Sequence, residues 1–313
     1  MLVRAHAKIN LVLDLLGPRD DGYTEIATVF QSVSLADELE IEVRPGVADV
    51  VLEVAGAAPC PPQDNLALRA AWAFLRRTGA AATVRIRLRK EIPAGGGLGG
   101  GSSDAAAVLR ALDTSLAPGL APAELDRLGA GLGADVPFFL HGGLAIGRGR
   151  GDQIEELPDL PPLALVLVHP GFSLSTAEVF REARAGLTTR SGPPNIRKFQ
   201  RYLRGSRGDL PPLGNDLLRA AGALRPEIHD LLSALERLGG QAGMTGSGST
   251  VYSLFPEEAA AANAARAMSG VPNAWVRTAR TVTRAVAVGW DGPSSGGGGG
   301  RHGDHGHPRV PGR

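Results

Sequence analysis

Pro93-Ala94-Gly95-Gly96-Gly97-Leu98-Gly99-Gly100-Gly101-Ser102-Ser103-Asp104 is the stretch on which the reading of this chain turns. It follows Val84-Arg85-Ile86-Arg87-Leu88, whose period of two is that of a strand. It runs into Ala105-Ala106-Ala107-Val108-Leu109-Arg110-Ala111-Leu112, an alanine-rich, helix-like run. Strand, glycine loop and helix in that order gather backbone N–H groups where an anion can sit. Glycine lets the chain approach a phosphate that a Cβ would hold away. The competing reading is a flexible linker capped by serine, but linkers seldom stand between a clear strand and a helix. The serine hydroxyls would meet a phosphate oxygen or a phosphate-bound Mg²⁺.

Three familiar phosphate loops can be tested against it. A Walker A loop ends G-K-[ST], and no lysine follows these glycines. A match to G-x-G-x-x-G at Gly95, Gly97 and Gly100 arises trivially in a glycine run. A dinucleotide fold also needs a second strand with an acidic end about 20 positions later. That region is Leu116-Ala117-Pro118-Gly119-Leu120-Ala121-Pro122, which is no central strand, so a nicotinamide-dependent oxidoreductase is the weaker reading. Protein-kinase H-R-D and D-F-G sequences are absent.

The chain has 313 residues, enough for two domains, and a net charge of +1, which supplies no field for nucleic acid or an anionic membrane. Cys60 is the only cysteine, so neither a disulfide framework nor a cysteine–zinc site is available. No signal-peptide pattern follows Arg4 and Lys8, and the longest strongly apolar run, residues 163–168, is far too short for a bilayer. The expectation is a cytoplasmic protein with a small-molecule substrate and no nucleic-acid or membrane partner. Of 33 basic residues only Lys8, Lys90 and Lys198 are lysines, which makes each a candidate for a specific role.

Residues 5–15 alternate, with Lys8 and Asn10 together on the polar face of what reads as a half-buried strand. Further strands are expected near 28–33, 39–43 and 50–54. A helix is expected over 65–77, with Asp64 as its cap. Pro122–Leu132 reads as a helix, and Pro158, Pro161 and Pro162 suggest a domain boundary near 157. Beyond it come a buried strand at 163–168 and helices near 175–185, 215–223 and 226–238. A strand–turn–strand over 244–255, a helix over 257–268 and a closing strand over 281–288 complete the expectation. The order is that of an α+β protein with domains at 1–156 and 157–290. The tail 291–313, rich in Gly, His and Arg, reads as disordered, with weak metal binding by His302, His305 and His307 as the lesser reading.

Residues 93–106 resemble the second motif of the galactokinase, homoserine kinase, mevalonate kinase and phosphomevalonate kinase superfamily. Ala7-Lys8-Ile9-Asn10-Leu11 is similar to its N-terminal motif, and Thr245-Gly246-Ser247-Gly248-Ser249-Thr250 to its C-terminal glycine turn. With Asp21-Gly22-Tyr23, Asp64-Asn65-Leu66 and Leu132-Gly133-Ala134-Asp135-Val136-Pro137, the match narrows to the family of kinases for 4-diphosphocytidyl-2-C-methyl-D-erythritol. The motifs run in order up to about residue 290.

The resemblance implies a two-domain small-molecule kinase fold. Its N-terminal nucleotide domain would be ribosomal-protein-S5-domain-2-like and its C-terminal domain ferredoxin-like α/β. It implies ATP with Mg²⁺, and a monomer or weak homodimer. It assigns Asp135 as base and Lys8 as its charge partner. Asn65, Pro93, Ala94, Gly95, Gly96, Gly97, Leu98, Gly99, Gly100, Gly101, Ser102 and Ser103 would bind ATP, with Mg²⁺ near Ser103. Asn10, Tyr23, Thr24, Phe180, Thr245 and Gly246 would bind the acceptor, Tyr23 and Phe180 sandwiching its cytosine. Kinases of the mevalonate or homoserine type remain the alternative; their substrates carry no base to stack. Thr24 departs from the family pattern, which has a histidine there that helps recognise cytosine. Backbone groups or the threonine hydroxyl would then read the base, and Thr24→His is expected to leave binding intact or tighten it.

Overall fold

Alternation in the first strand places Ala5, Ala7, Ile9, Leu11 and Leu13 on one face and His6, Lys8, Asn10 and Asp14 on the other. In the computed structural model, which describes residues 1–56, 60–116, 119–185, 194–205 and 210–288, both faces are buried. The half-buried expectation is therefore corrected. This strand, β1 (Leu2–Pro18), lies inside a sheet, hydrogen-bonded to β2 (Thr24–Pro45) on one side and to a short strand from the second half of the chain on the other. Buried polar groups must find partners. Asp14 accepts from the backbone N–H groups of Asn195 and Ile196 at 3.1 and 2.8 Å, and Thr28 Oγ1 donates to Val12 O at 2.6 Å.

β2 is one continuous strand where two were expected, at 28–33 and 39–43. Next come β3 (Asp49–Ala55), a single 3₁₀ turn (Pro62–Asp64), α1 (Leu66–Thr78) and β4 (Ala82–Arg89). Asn65, not Asp64, caps α1: its side chain accepts from Ala67 N, while Asp64 belongs to the preceding turn. Then follow α2 (Gly100–Ser115), α3 (Pro122–Leu132), α4 (Val136–His141), β5 (Leu144–Gly149) and β6 (Gln153–Glu156). The sheet runs β3-β4-β2-β1, extended by β5 and β6 from β2. Helices α1 and α2 cover one face through Phe74, Ala106 and Leu109 against Leu39, Ile86 and Leu88.

The second half contributes β7 (Ala164–His169), α5 (Thr176–Ala185), α6 (Asn195–Arg204), β8 (Gly214–Asn215), α7 (Leu218–Leu224), α8 (Glu227–Arg237), β9 (Gln241–Met244), β10 (Val251–Phe255), α9 (Glu258–Met268), β11 (Trp275–Arg280) and α10 (Arg284–Val288). Strands β11-β7-β10-β9 form an antiparallel sheet, and β8 crosses over to pair with β1. The closing strand expected over 281–288 is not formed: the last strand, β11, ends at Arg280, Thr281 makes an isolated bridge to Val33, and the short helix α10 covers Arg284–Val288. Tertiary packing decides this: α10 seats Ala287 against Gly142 and Arg284 against Gly143, where an added Cβ would approach to 2.9 and 2.8 Å. Three clusters make the core, and β1 contributes to each: Ala5 to the first, Leu13 and Leu15 to the second, Ile9 and Leu11 to the third. The tail 291–313, with its three histidines, lies outside the described residues.

Candidate active site

The glycine loop reaches its shape through its carbonyls. Gly96 O accepts from Thr250 N, Gly97 O from Thr245 Oγ1, Leu98 O from Lys8 N and Gly99 O from Ser103 N, at 2.9–3.2 Å. With the carbonyls turned onto protein donors, the loop is left to offer N–H groups, the arrangement an anion needs. Helix α2 starts on Gly99 without a side-chain cap, so its first-turn N–H groups keep no side-chain acceptor. Gly97 and Gly99 have φ of +78° and +74°. A Cβ on Gly97 would run into the Thr245 carbonyl, and one on Gly99 would come within 2.7 Å of the Phe139 ring.

The loop forms one wall of a cavity of about 900 Å³. Asn65 and residues 93–102 all line it. Ser103 does not: it is buried, and its hydroxyl donates to His6 O at 2.7 Å, tying α2 to β1. Ser102 and Ser103 lie within the first turn of α2 rather than ahead of it.

Lys8 and Asp135 meet in the same cavity, with Lys8 Nζ 3.5 Å from Asp135 Oδ2. Lys8 is 3% exposed. Burial pushes its ammonium below the ordinary lysine value, and Asp135 opposes that shift. Its remaining neighbours are Asn10 Oδ1 at 2.6 Å and the Phe30 ring, 5.4 Å to the centroid. Asp135 precedes α4 without bonding its backbone, and a third of its side chain is exposed. A carboxylate in the N-cap position that caps nothing is open to a ligand.

Asn10 holds this lysine. Its Oδ1 also accepts from Gly246 N at 2.8 Å, and its Nδ2 donates to Thr28 Oγ1 at 2.7 Å. Thr245 is fully buried, its hydroxyl shared among Asn10 N, Asn10 Oδ1 and Gly97 O, and it does not line the cavity; Gly246 does. Tyr23, Thr24 and Phe180 also line the cavity. Tyr23 is 55% exposed, whereas Phe180 also packs on the second core cluster.

Several lining residues carried no motif in the sequence: Arg150, Arg181 and Arg184, and Cys60 beside Asp64. Arginine is this chain's default cation, so nothing marks these three. Lys90 was marked by the scarcity of lysine. It bonds Asp104 Oδ2 at 2.6 Å and Asp37, and Asp37 also accepts from the N–H groups of Glu91 and Ile92 at 2.6 and 2.9 Å. This cluster joins the entry of the glycine loop to its exit. Burial pushes the Asp104 carboxyl up to about 8, with Lys90 opposing. Burial opposes charge on Lys90 too, but Asp104 and Asp37 hold its ammonium above the usual value.

Residues 65–143 match the family described as GHMP kinases N terminal domain, and residues 195–273 match GHMP kinases C terminal. The chain is 44% identical over 253 residues to a 4-diphosphocytidyl-2-C-methyl-D-erythritol kinase of Pelotomaculum thermopropionicum, covering 80% of this chain and 87% of that one. The chain belongs to the 4-diphosphocytidyl-2-C-methyl-D-erythritol kinase family. Another member, from Moorella thermoacetica, is also 44% identical over 253 residues, covering 79% of this chain and 87% of its own. A crystal structure of a 4-(cytidine 5'-diphospho)-2C-methyl-D-erythritol kinase superposes with a TM-score of 0.75 at 38% identity, over 89% of this chain and 99% of that one. The α+β layout is thus the two-domain fold of the GHMP kinases. In this family member the glycine loop, the Lys8–Asp135 pair, Tyr23 and Phe180 share one cavity. Among the described residues no helix is long and apolar enough to cross a membrane.

Proposed function

We propose that the protein transfers the γ-phosphoryl group of ATP to the 2-hydroxyl of 4-diphosphocytidyl-2-C-methyl-D-erythritol, a step of the non-mevalonate isoprenoid route. The observation that carries the reading is the Lys8–Asp135 pair, facing the same cavity as an N–H-presenting glycine loop. Asp135 takes the hydroxyl proton, the alkoxide oxygen bonds to the γ-phosphorus, and the β–γ bridging oxygen leaves with ADP. Lys8 keeps Asp135 ionised beforehand and offsets the charge that develops at the acceptor oxygen. Such a transfer needs positioning and charge neutralisation more than covalent help.

The first-turn N–H groups of α2 and the loop receive the phosphates, with Asn65 beside them. When bound, Mg²⁺ would supply charge neutralisation on the phosphates. The hydroxyl that would face it is that of Ser102, since Ser103 is committed to His6. Asn10 acts through Lys8, its oxygen being occupied by the ammonium. Residues 1–156 serve as the ATP-binding domain and 157–290 as the second domain, with β8 handed across to β1.

Purified protein with ATP, Mg²⁺ and the cytidine substrate should release ADP. Turnover with mevalonate or homoserine but none with this substrate would overturn the proposal; Tyr23 and Phe180 in the cavity lining favour a ligand with a ring to stack. Asp135→Ala should lower kcat by at least ~100-fold, the lower range for a positioned acid or base. A wild-type rate in that variant would remove Asp135 from the chemistry.

A further inference from the structure

We infer that Arg184 reads the base of the acceptor, and that Thr24 and Gly22 hold it in place to do so. The inference rests on the proposed acceptor carrying cytosine. Most of the groups that sequence alone offered for this task are turned elsewhere. Tyr23 N–H donates to Asp21 Oδ1 at 3.1 Å and Tyr23 O accepts from Arg19 N at 3.0 Å, so the turn uses its own backbone. Gly22 O accepts from Arg184 Nη2 at 2.8 Å, and Thr24 Oγ1 accepts from Arg184 Nε at 2.9 Å. Thr24 is buried, which further removes its hydroxyl from the ligand.

What remains open to the cavity is the rest of the guanidinium. Arginine carries five N–H donors. Arg184 spends donors on two neutral oxygens and has no carboxylate bonded to it among the described residues. The other two arginines of this wall are compensated, Arg150 by Asp152 at 2.8 Å and Arg181 by Glu178 at 3.6 Å. Arg184 also stands four residues after Phe180 on α5, so the two share a helix face one turn apart, and both line the cavity. A base laid on Phe180 and Tyr23 presents its edge to Arg184.

Cytosine offers two adjacent acceptors, O2 and N3, spaced for paired guanidinium donors, as purine acceptor pairs are in nucleic-acid readout. Uracil offers a donor at N3 instead, which would oppose another donor. Arg184 therefore sets cytidine over uridine. Thr24 is its positioning residue, and the family histidine is replaced by a bond that reaches across from α5.

The test is steady-state kinetics with the cytidine substrate and its uridine counterpart. Arg184→Met should raise the acceptor KM about tenfold or more, the range for losing a paired base contact, and should narrow the cytidine-over-uridine ratio. The KM for ATP should stay unchanged, which a general structural defect would not allow. Arg184→Lys should keep part of the binding. Thr24→Val should raise the acceptor KM less, and its effect should not add to that of Arg184→Met. Thr24→His should weaken binding by breaking the bond, the reverse of the expectation from family resemblance. An acceptor KM and base preference unmoved by Arg184→Met, while the unaltered protein turns the cytidine substrate over, would overturn this inference alone. No turnover by the unaltered protein would overturn the reading beneath it.

Discussion

Asp104 and Asp135 are both carboxylates beside a lysine, and burial gives them different tasks. Asp135 is a third exposed and reaches the cavity; Asp104 is sealed against Lys90 with its Oδ1 unpartnered. A carboxyl with a raised folded pKa stabilises the fold while protonated. That contribution is complete below its ordinary 3.8 and is lost as pH rises through about 8. Asp104→Asn should therefore flatten the melting temperature between those pH values, and the variant should gain on the parent as pH approaches 8. A parent and variant that melt in parallel across that range would contradict it. At this scale the sequence was informative where residue type was unusual: Lys8 and Lys90 stood out because lysine is rare. Arg184 could not stand out in a chain that uses arginine everywhere, and its role depends on a contact 160 positions away with Thr24. Ser103 misled because a hydroxyl in a phosphate motif says nothing of the strand carbonyl it will meet.

Among the elements, the strand–loop–helix unit was readable because its signals are local: alternation, glycines, then alanines. The helices that were missed lacked such signals. Helix α4 is a six-residue, mostly apolar run, too short for a periodicity to emerge. Helix α6 has no side-chain cap of its own, since Asp14 of β1 receives its first N–H groups. The loop makes a sharp prediction about one of its glycines. Gly97→Ala meets the Thr245 carbonyl at a positive φ, so it should weaken ATP binding by tenfold or more, given a backbone cost of ~1–2 kcal/mol before any clash. Gly131→Ala, in α3 with nothing within 4 Å of the added Cβ and outside the cavity lining, should bind ATP as the parent does. Calorimetric titration with a non-hydrolysable ATP analogue separates the two; equal affinities would mean that the loop adjusts freely.

For the whole molecule, the sequence suggested two halves meeting near 157; one sheet is built from β1–β6 together with β8, the other from β7 and β9–β11. Their dependence on each other was not readable, because it rests on the two-residue strand β8 and on the burial of both faces of β1. Since β1 feeds all three core clusters, the protein should unfold in one calorimetric transition despite its size. Leu11→Ala, a truncation at a fully buried site, should cost ~2–5 kcal/mol and lower that single transition as a unit. Two resolved transitions, with only one moved by Leu11→Ala, would show that the halves melt separately. The placement of the lysines has a practical corollary. Lys8 is buried and Lys90 partly buried, each against carboxylates, the N-terminal amine donates to Ile41 O, and Lys198 lies exposed on α6, away from the cavity lining. Among the lysine side chains, amine-directed labelling should fall chiefly on Lys198, whose attachment point leaves the cavity clear for a dye or a sensor surface.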